Sequence, residues 1–331
     1  MKNVRLEDIA KRLNLTKVSV SKALRDHKDI SSETRERVKK MAKQMGYHPN
    51  LQARSLTSKV SNTIGIIVPK IAHMFFASTI EGIYKTAEEH GYKVLMGVSF
   101  ENEKLEIDHV ESMINMRVDG LVVSVSEQTR SPEIFRMVSD MGINLVFFDR
   151  GFSGTGYSYV KVADRESAKK GVEHMIGLGY KNIAHLSGYQ TSVIGKERKN
   201  GYFEALEEAG ITMPESAIVE GGFSEEDGEA GFKKLIKNHG IPEAVFAVTY
   251  PVGLGILNQM DKMQIDPSTI PILAFGGSDF NRYLATPLIC IEQPNYELGK
   301  RAFEQLKKEM EADDGVIPET IEMPAKIFIK K

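Results

Sequence analysis

The sequence has a single cysteine, Cys290, and no tryptophan among its 331 residues. One thiol makes neither an internal disulfide nor a cysteine metal cluster, and points to a reducing, cytoplasmic setting. No apolar run approaches the ~20 residues that a membrane-spanning helix requires. The opening stretch Met1–Asp8 is polar where a signal peptide would need an apolar core. The eight histidines are scattered, and no His-Glu-x-x-His stretch occurs. Gly154/Gly156 and Gly253/Gly255 lack the third glycine of a dinucleotide loop. Gly195-Lys196 is followed by Glu197, with Gln190 where a phosphate-binding loop needs glycine. No Ser-His-Asp arrangement can be read from spacing. No cofactor and no metal are expected. A Rossmann-type enzyme with a basic head, a cytoplasmic small-molecule-binding protein and a transport protein for solutes remain as competing readings.

What is present is an uneven charge. Residues 1–60 hold 15 basic and 6 acidic side chains, a net of +9. The rest holds 28 basic and 39 acidic, a net of −11. A basic head on an acidic body orients a molecule on a polyanion such as a phosphate backbone.

The head carries helical periodicity. Leu6, Ile9, Ala10 and Leu13 share one face, and the pattern breaks at Asn14-Leu15. Thr16 can cap a second helix with apolar Val18, Val20, Ala23 and Leu24. Ser31 or Ser32 opens a third over Glu33–Met45, which Gly46 ends. Three short helices, the first two joined by about three residues, read as a helix-turn-helix. In that geometry the second helix enters the major groove. Lys17, Val18 and Lys22 are the candidates for base edges, since lysine donates to guanine and valine packs on a thymine methyl. Thr16, Ser19, Ser21, Arg25, Ser31, Thr34 and Arg35 suit phosphate contacts. Core packing is the competing role for Val18.

Beyond residue 62 apolar runs alternate with amphipathic stretches. The strand candidates are 64–68, 93–98, 120–125, 144–148, 160–163, 182–186, 217–220, 244–249, 271–275 and 289–293. Helices are expected over 77–90, 104–116, 168–178, 197–209 and 296–310. Such repetition predicts parallel sheets covered on both faces, and ten strands suggest two doubly wound lobes.

Several stretches carry a resemblance. Val4-Arg5-Leu6-Glu7-Asp8-Ile9-Ala10, Leu15–Leu24, Ile30–Val38 and Gly46-Tyr47-His48-Pro49-Asn50 are similar to the LacI/GalR family of bacterial transcription regulators. Ile64–Pro69, Arg117–Leu121, Gly177–Ala184 and Gln293–Gly299 extend the likeness over nearly the whole chain. Lys22 departs from the arginine common there, losing the planar fork.

The resemblance implies a helix-turn-helix domain over 1–48, a hinge helix and linker over 49–62, and a periplasmic-binding-protein-like body over 63–331. The lobes are expected at about 63–160 with 290–318, and 161–289 with 319–331. By itself the segment after Pro49 forms at most a marginal helix. The resemblance makes it a hinge that orders on DNA and wedges a leucine, Leu56 by position, into the minor groove, where unstacking costs a few kcal/mol. Ala53 and Arg54 flank that wedge, and Asn50 joins the DNA contacts.

It also implies a small-molecule effector, a sugar or sugar derivative, bound between the lobes. Phe75, Asp149, Arg150, Asp164, Arg198, Tyr250, Gly276 and Gln293 are the positions assigned to it. One of Phe75 and Phe76 is expected in the core, and Asp164 has helix capping as an equal alternative. Thr249-Tyr250-Pro251, Phe275-Gly276-Gly277 and His73-Met74 stand where the family usually shows other residues, so a phosphorylated or less hydroxylated ligand, or no ligand, enters consideration. The partners implied are a near-palindromic double-stranded operator, an effector and a second copy of the chain, with no membrane.

Overall fold

The computed structural model describes residues 4–47, 60–72, 74–277, 279–312 and 316–328. It divides into two compact units, 1–61 and 62–331.

In the first unit, α1 (Leu6–Leu13), α2 (Lys17–Leu24) and α3 (Ser32–Met45) surround a small core of Ile9, Ala10, Val20, Ala23, Val38 and Ala42. Each boundary has a local cause. Asp8 accepts from the Arg5 N–H at 2.8 Å, and Asn14 turns left-handed (φ 53°) to stop α1. Thr16 caps α2 by accepting from the Ser19 N–H at 3.0 Å. Ser31 caps α3 by accepting from the Thr34 N–H at 3.3 Å. Gly46, at φ 68°, ends α3 where a side chain would be strained.

The second unit runs β1 (Thr63–Val68), α4 (Met74–Glu89), β2 (Lys93–Val98), α5 (Glu103–Asn115), β3 (Gly120–Val123), α6 (Arg136–Asp140), β4 (Asn144–Phe148) and β5 (Ser158–Val162). It continues α7 (Asp164–Gly177), β6 (Ile183–Ser187), α8 (Val193–Glu208), β7 (Ile218–Glu220), α9 (Glu225–Asn238), β8 (Ala244–Ala247), α10 (Tyr250–Lys262) and β9 (Ile272–Phe275). It closes with β10 (Ile289–Glu292), α11 (Asn295–Met310), β11 (Thr320–Met323) and β12 (Lys326–Phe328).

Two six-stranded sheets result, ordered β11-β5-β4-β3-β1-β2 and β12-β10-β9-β8-β6-β7. Every pairing is parallel except β10 with β12. The Thr-Ile-Gly-Ile-Ile-Val run of β1 is buried along five of its six residues, because helices cover both faces of its sheet.

The chain passes between lobes three times: after β5, after β10, and at Pro324-Ala325. The lobe limits differ from those expected. Residues 161–162 finish β5 in the first sheet, and 320–323 join that sheet as β11. Residues 290–292 belong to the second sheet, where Cys290 and Ile291 continue the ladder from β9. Pro324, which has no N–H for the ladder, separates β11 from β12, and the two are edge strands on different sheets.

Candidate functional site

On the head, α2 turns its valines opposite ways. Val20 is fully buried, whereas Val18 is 63% exposed and makes no part of the core. Core packing is thus removed as the role of Val18. Lys17 and Lys22 share this outward surface. Lys17 meets Glu7 at 2.6 Å and Lys22 meets Asp29 at 2.6 Å. The Lys22 hydrogen bond draws the Asp29 carboxyl down to about 2. Exposed pairs of this kind hold weakly and exchange readily for a phosphate or base. Thr16, Ser19, Ser31 and Thr34 already use their hydroxyls in capping, with Thr16 and Ser19 at 2.8 Å and Ser31 donating to Thr34 at 2.9 Å. Arg25 donates to the Ser21 carbonyl at 3.1 Å, and Arg35 to the Asp26 carbonyl at 3.1 Å. Asn50, Ala53, Arg54 and Leu56 lie outside the described residues.

In the body, the expected effector positions gather at the carboxyl ends of the strands. Asp149 follows β4 in a left-handed turn (φ 56°), and its carbonyl accepts from the Tyr159 hydroxyl at 2.7 Å. The residue is 8% exposed, and burial pushes its carboxyl up to about 6 against the opposing pull of Arg150. Arg150 reaches Glu101 at 3.0 Å and Glu127 at 3.5 Å. Across the gap, Arg198 of α8 donates from Nε to Asp164 at 2.8 Å and from Nη1 to the Val248 carbonyl at 2.7 Å. Its guanidinium lies 3.6 Å from the centre of the Phe275 ring. Burial raises the Asp164 carboxyl, and the Arg198 charge opposes that rise.

Asp164 is the first residue of α7, not its cap, and its carboxylate serves Arg198 instead. The capping alternative therefore fails. Both Phe75 and Phe76 are buried, with Phe76 edge-on to Phe148 at 6.4 Å, so both rather than one belong to the core. Tyr250, Gly276 and Gln293 come together from three elements. A methyl group on Gly276 would stand 3.4 Å from Gln293 Oε1 and 3.7 Å from Tyr250 Cβ. The Tyr250 hydroxyl donates to Asn281 at 3.4 Å, and burial lifts it to about 12.

Sequence reasoning missed Glu106. It is fully buried on α5 and accepts from the Ser126 N–H and the Thr129 hydroxyl, each at 2.7 Å. It thereby holds the loop that carries Glu127. An acidic residue on the inward side of an amphipathic helix was the available signal. Burial pushes its carboxyl up to about 7, from an ordinary value of 4.5. The folded state thus keeps a proton that the unfolded chain releases. Stability is expected to fall as pH rises from about 4.5 to about 7, by up to about 3 kcal/mol, and to level above that. Asp149 adds a fall with the same sign at lower pH. Melting of the body across that range checks this, and Glu106→Gln should flatten the upper part of the curve.

Among the described residues no group of three His, Cys, Asp or Glu side chains is placed to hold a metal, and no helix is long and apolar enough to cross a membrane.

Two family models match the chain. Residues 5–50 match the bacterial regulatory proteins of the lacI family, and residues 61–329 match the periplasmic binding proteins and sugar binding domain of the LacI family. The chain belongs to the LacI family. It is a DNA-binding transcription regulator with an effector-binding body. Catabolite control protein A of Priestia megaterium is 27% identical over 331 residues, covering 99% of each chain. The transcriptional repressor CytR of Escherichia coli K12 is 28% identical, covering 92% of this chain and 89% of the relative. The lac repressor dimer bound to operator and an anti-inducer shares the fold, with a TM-score of 0.86, 21% identity and 98% of each chain covered. This LacI-family regulator keeps the two-lobed, three-crossing body of that fold together with a helix-turn-helix head.

Proposed function

We propose that this regulator acts as a cytoplasmic homodimer that represses transcription from a near-palindromic operator, with operator affinity set by a small molecule between the lobes. It performs no catalysis in this reading. Repression follows the names of its relatives, the repressor CytR among them. The dimer follows the operator-bound lac repressor and the need of a two-fold site for a two-fold protein.

The observation that carries the DNA part is Val18. An apolar side chain is held in solvent on a helix whose other valine is buried, between two lysines. Such a residue is placed to meet a thymine methyl, with Lys17 and Lys22 donating to base edges beside it. The effector part rests on Asp149, Arg150, Asp164, Arg198, Tyr250, Gly276 and Gln293 converging at the strand ends. The effector favours one lobe arrangement and so orders or releases the hinge, a population shift that requires different affinities for the two states.

The test is selection of genomic fragments by the purified chain, followed by gel-shift on the selected site. Val18→Ser is expected to lower affinity for that site by about 1–3 kcal/mol while leaving random duplex binding nearly unchanged. Equal loss on both would remove Val18 from base reading. Failure to select any fragment over competitor, with and without candidate metabolites, would overturn the operator reading.

A further inference from the structure

The two guanidinium groups at the strand ends are both occupied. Arg150 lies between Glu101 and Glu127. Arg198 spends two nitrogens on Asp164, one on the Val248 carbonyl, and its face on Phe275. Exposed Lys70 stands 3.7 Å from Glu101. Opposite them are four carboxylates: Glu101, Glu127, Asp149 and Asp164. The Asp149 carboxylate, though buried, has no hydrogen bond among the described residues, and Arg150 Nε stands 4.0 Å from it.

These groups face one another across the lobes. Asp149 of the first lobe feels Asp164 and Arg198 of the second. Tyr189, on the loop after β6, has its hydroxyl raised first by Asp227 and also by Glu127 of the opposite lobe. Its ring is 44% exposed and meets Phe223 edge-on at 5.8 Å. Ser187, which ends β6 two residues before it, has a buried hydroxyl without a partner among the described residues.

This chemistry discriminates between ligands. A phosphate or carboxylate would enter an acid-rich space whose cations are committed, and would have to break an existing pair. A neutral ligand could donate to Asp149 but would bring no charge to a carboxylate whose nearest cation, Arg150, stands 4.0 Å away and is shared with Glu101 and Glu127. A protonated amine supplies both the hydrogen bond and the charge. We infer that the cleft takes a ligand bearing a protonated amine, seated on Asp149. The inference rests on the reading of this cleft as the effector site, and the sugar-binding description of the matched family model makes an amino sugar the fitting probe.

The experiment compares D-glucosamine, D-glucose and D-glucose 6-phosphate by calorimetric titration and thermal shift on the full chain, since a ligand of the folded state raises its melting temperature. Glucosamine is expected to bind at least about tenfold more tightly than the other two. Equal or tighter binding of glucose or its phosphate overturns the amine while leaving the effector cleft standing. No shift with any of the three also overturns it, and operator release by some other metabolite then decides whether the cleft reading survives.

Asp149→Asn is expected to weaken glucosamine at least about tenfold, and unchanged affinity in a variant shown to be folded overturns the seat. Should that variant fail to fold, the pH profile of the parent chain serves. Asp149 is faced by Arg150 beside it, Glu101 from the loop after β2, Tyr159 of β5, Asp164 of α7 and Arg198 of α8. Its carboxyl ionises at about 6, so glucosamine binding should strengthen from about pH 5 to about pH 7. A flat profile overturns the proposal.

Discussion

Arg198→Ala is expected to destabilise the body by about 3–5 kcal/mol and to abolish the effector response. The magnitude follows from what the substitution leaves behind. Asp164 is almost wholly buried, and Arg198 is its hydrogen-bonded cation at 2.8 Å. Removing one partner of a buried pair strands the other charge in a poorly solvating interior. The Val248 carbonyl loses its donor, and the Phe275 ring loses the group stacked on it. Urea unfolding of the two proteins measures the loss. Replacing both partners, as Asp164→Leu with Arg198→Met, should recover much of that stability, because the penalty belongs to the unpaired charge. Recovery of stability without the effector response would separate a ligand-binding role from a structural one. A fully stable Arg198→Ala variant would contradict the buried pair, and an unchanged effector dose response would remove Arg198 from the pocket.

The second large effect is ionic. Operator affinity is expected to fall about 10³–10⁵-fold between about 50 and 200 mM salt, the response of a protein that neutralises about six to ten phosphates. The head, at +9 over residues 1–60, supplies enough cations for two copies to do so. Several of those cations are tied to acids before DNA arrives: Lys17 to Glu7, Lys22 to Asp29 and Lys39 to Asp26. Binding exchanges these pairs for phosphates or bases, and exposed pairs offer little resistance. Titrations at stepped salt concentrations give the slope. A flat response would place the affinity outside the phosphate backbone and remove the electrostatic basis of the head.

Much of this architecture was legible in the chain itself. Strands over 93–98 and 144–148 coincide with β2 and β4, because both are short apolar runs bounded by polar turns, although only β4 is buried along its length and β2 is a sheet edge. The three helices of the head announce themselves through Thr16, Ser31 and Gly46, residues whose local hydrogen bonding and backbone freedom end or begin a helix regardless of context. β11 and β12 were not legible. Four residues and three residues carry too little periodicity, and each exists only because a sheet edge was already there to accept it. The same limit misplaced 320–323, which were expected with the second lobe.

The candidate cleft divides in the same way. The family resemblance assigned Asp149, Asp164 and Arg198 to the cleft, and the strand-helix pattern put the two aspartates at strand ends and Arg198 early in a helix. Neither showed their commitments. That Asp164 serves Arg198 instead of capping α7, that Arg150 is shared by two glutamates, and that Val18 faces solvent are outcomes of packing between segments far apart in the chain. Local sequence determines capping, strand propensity and the charge of the head, because those depend on neighbours within a few residues. The tertiary structure alone decides which charges are neutralised and which stay unpaired, because desolvation and ion pairing depend on what folding brings within a few ångströms.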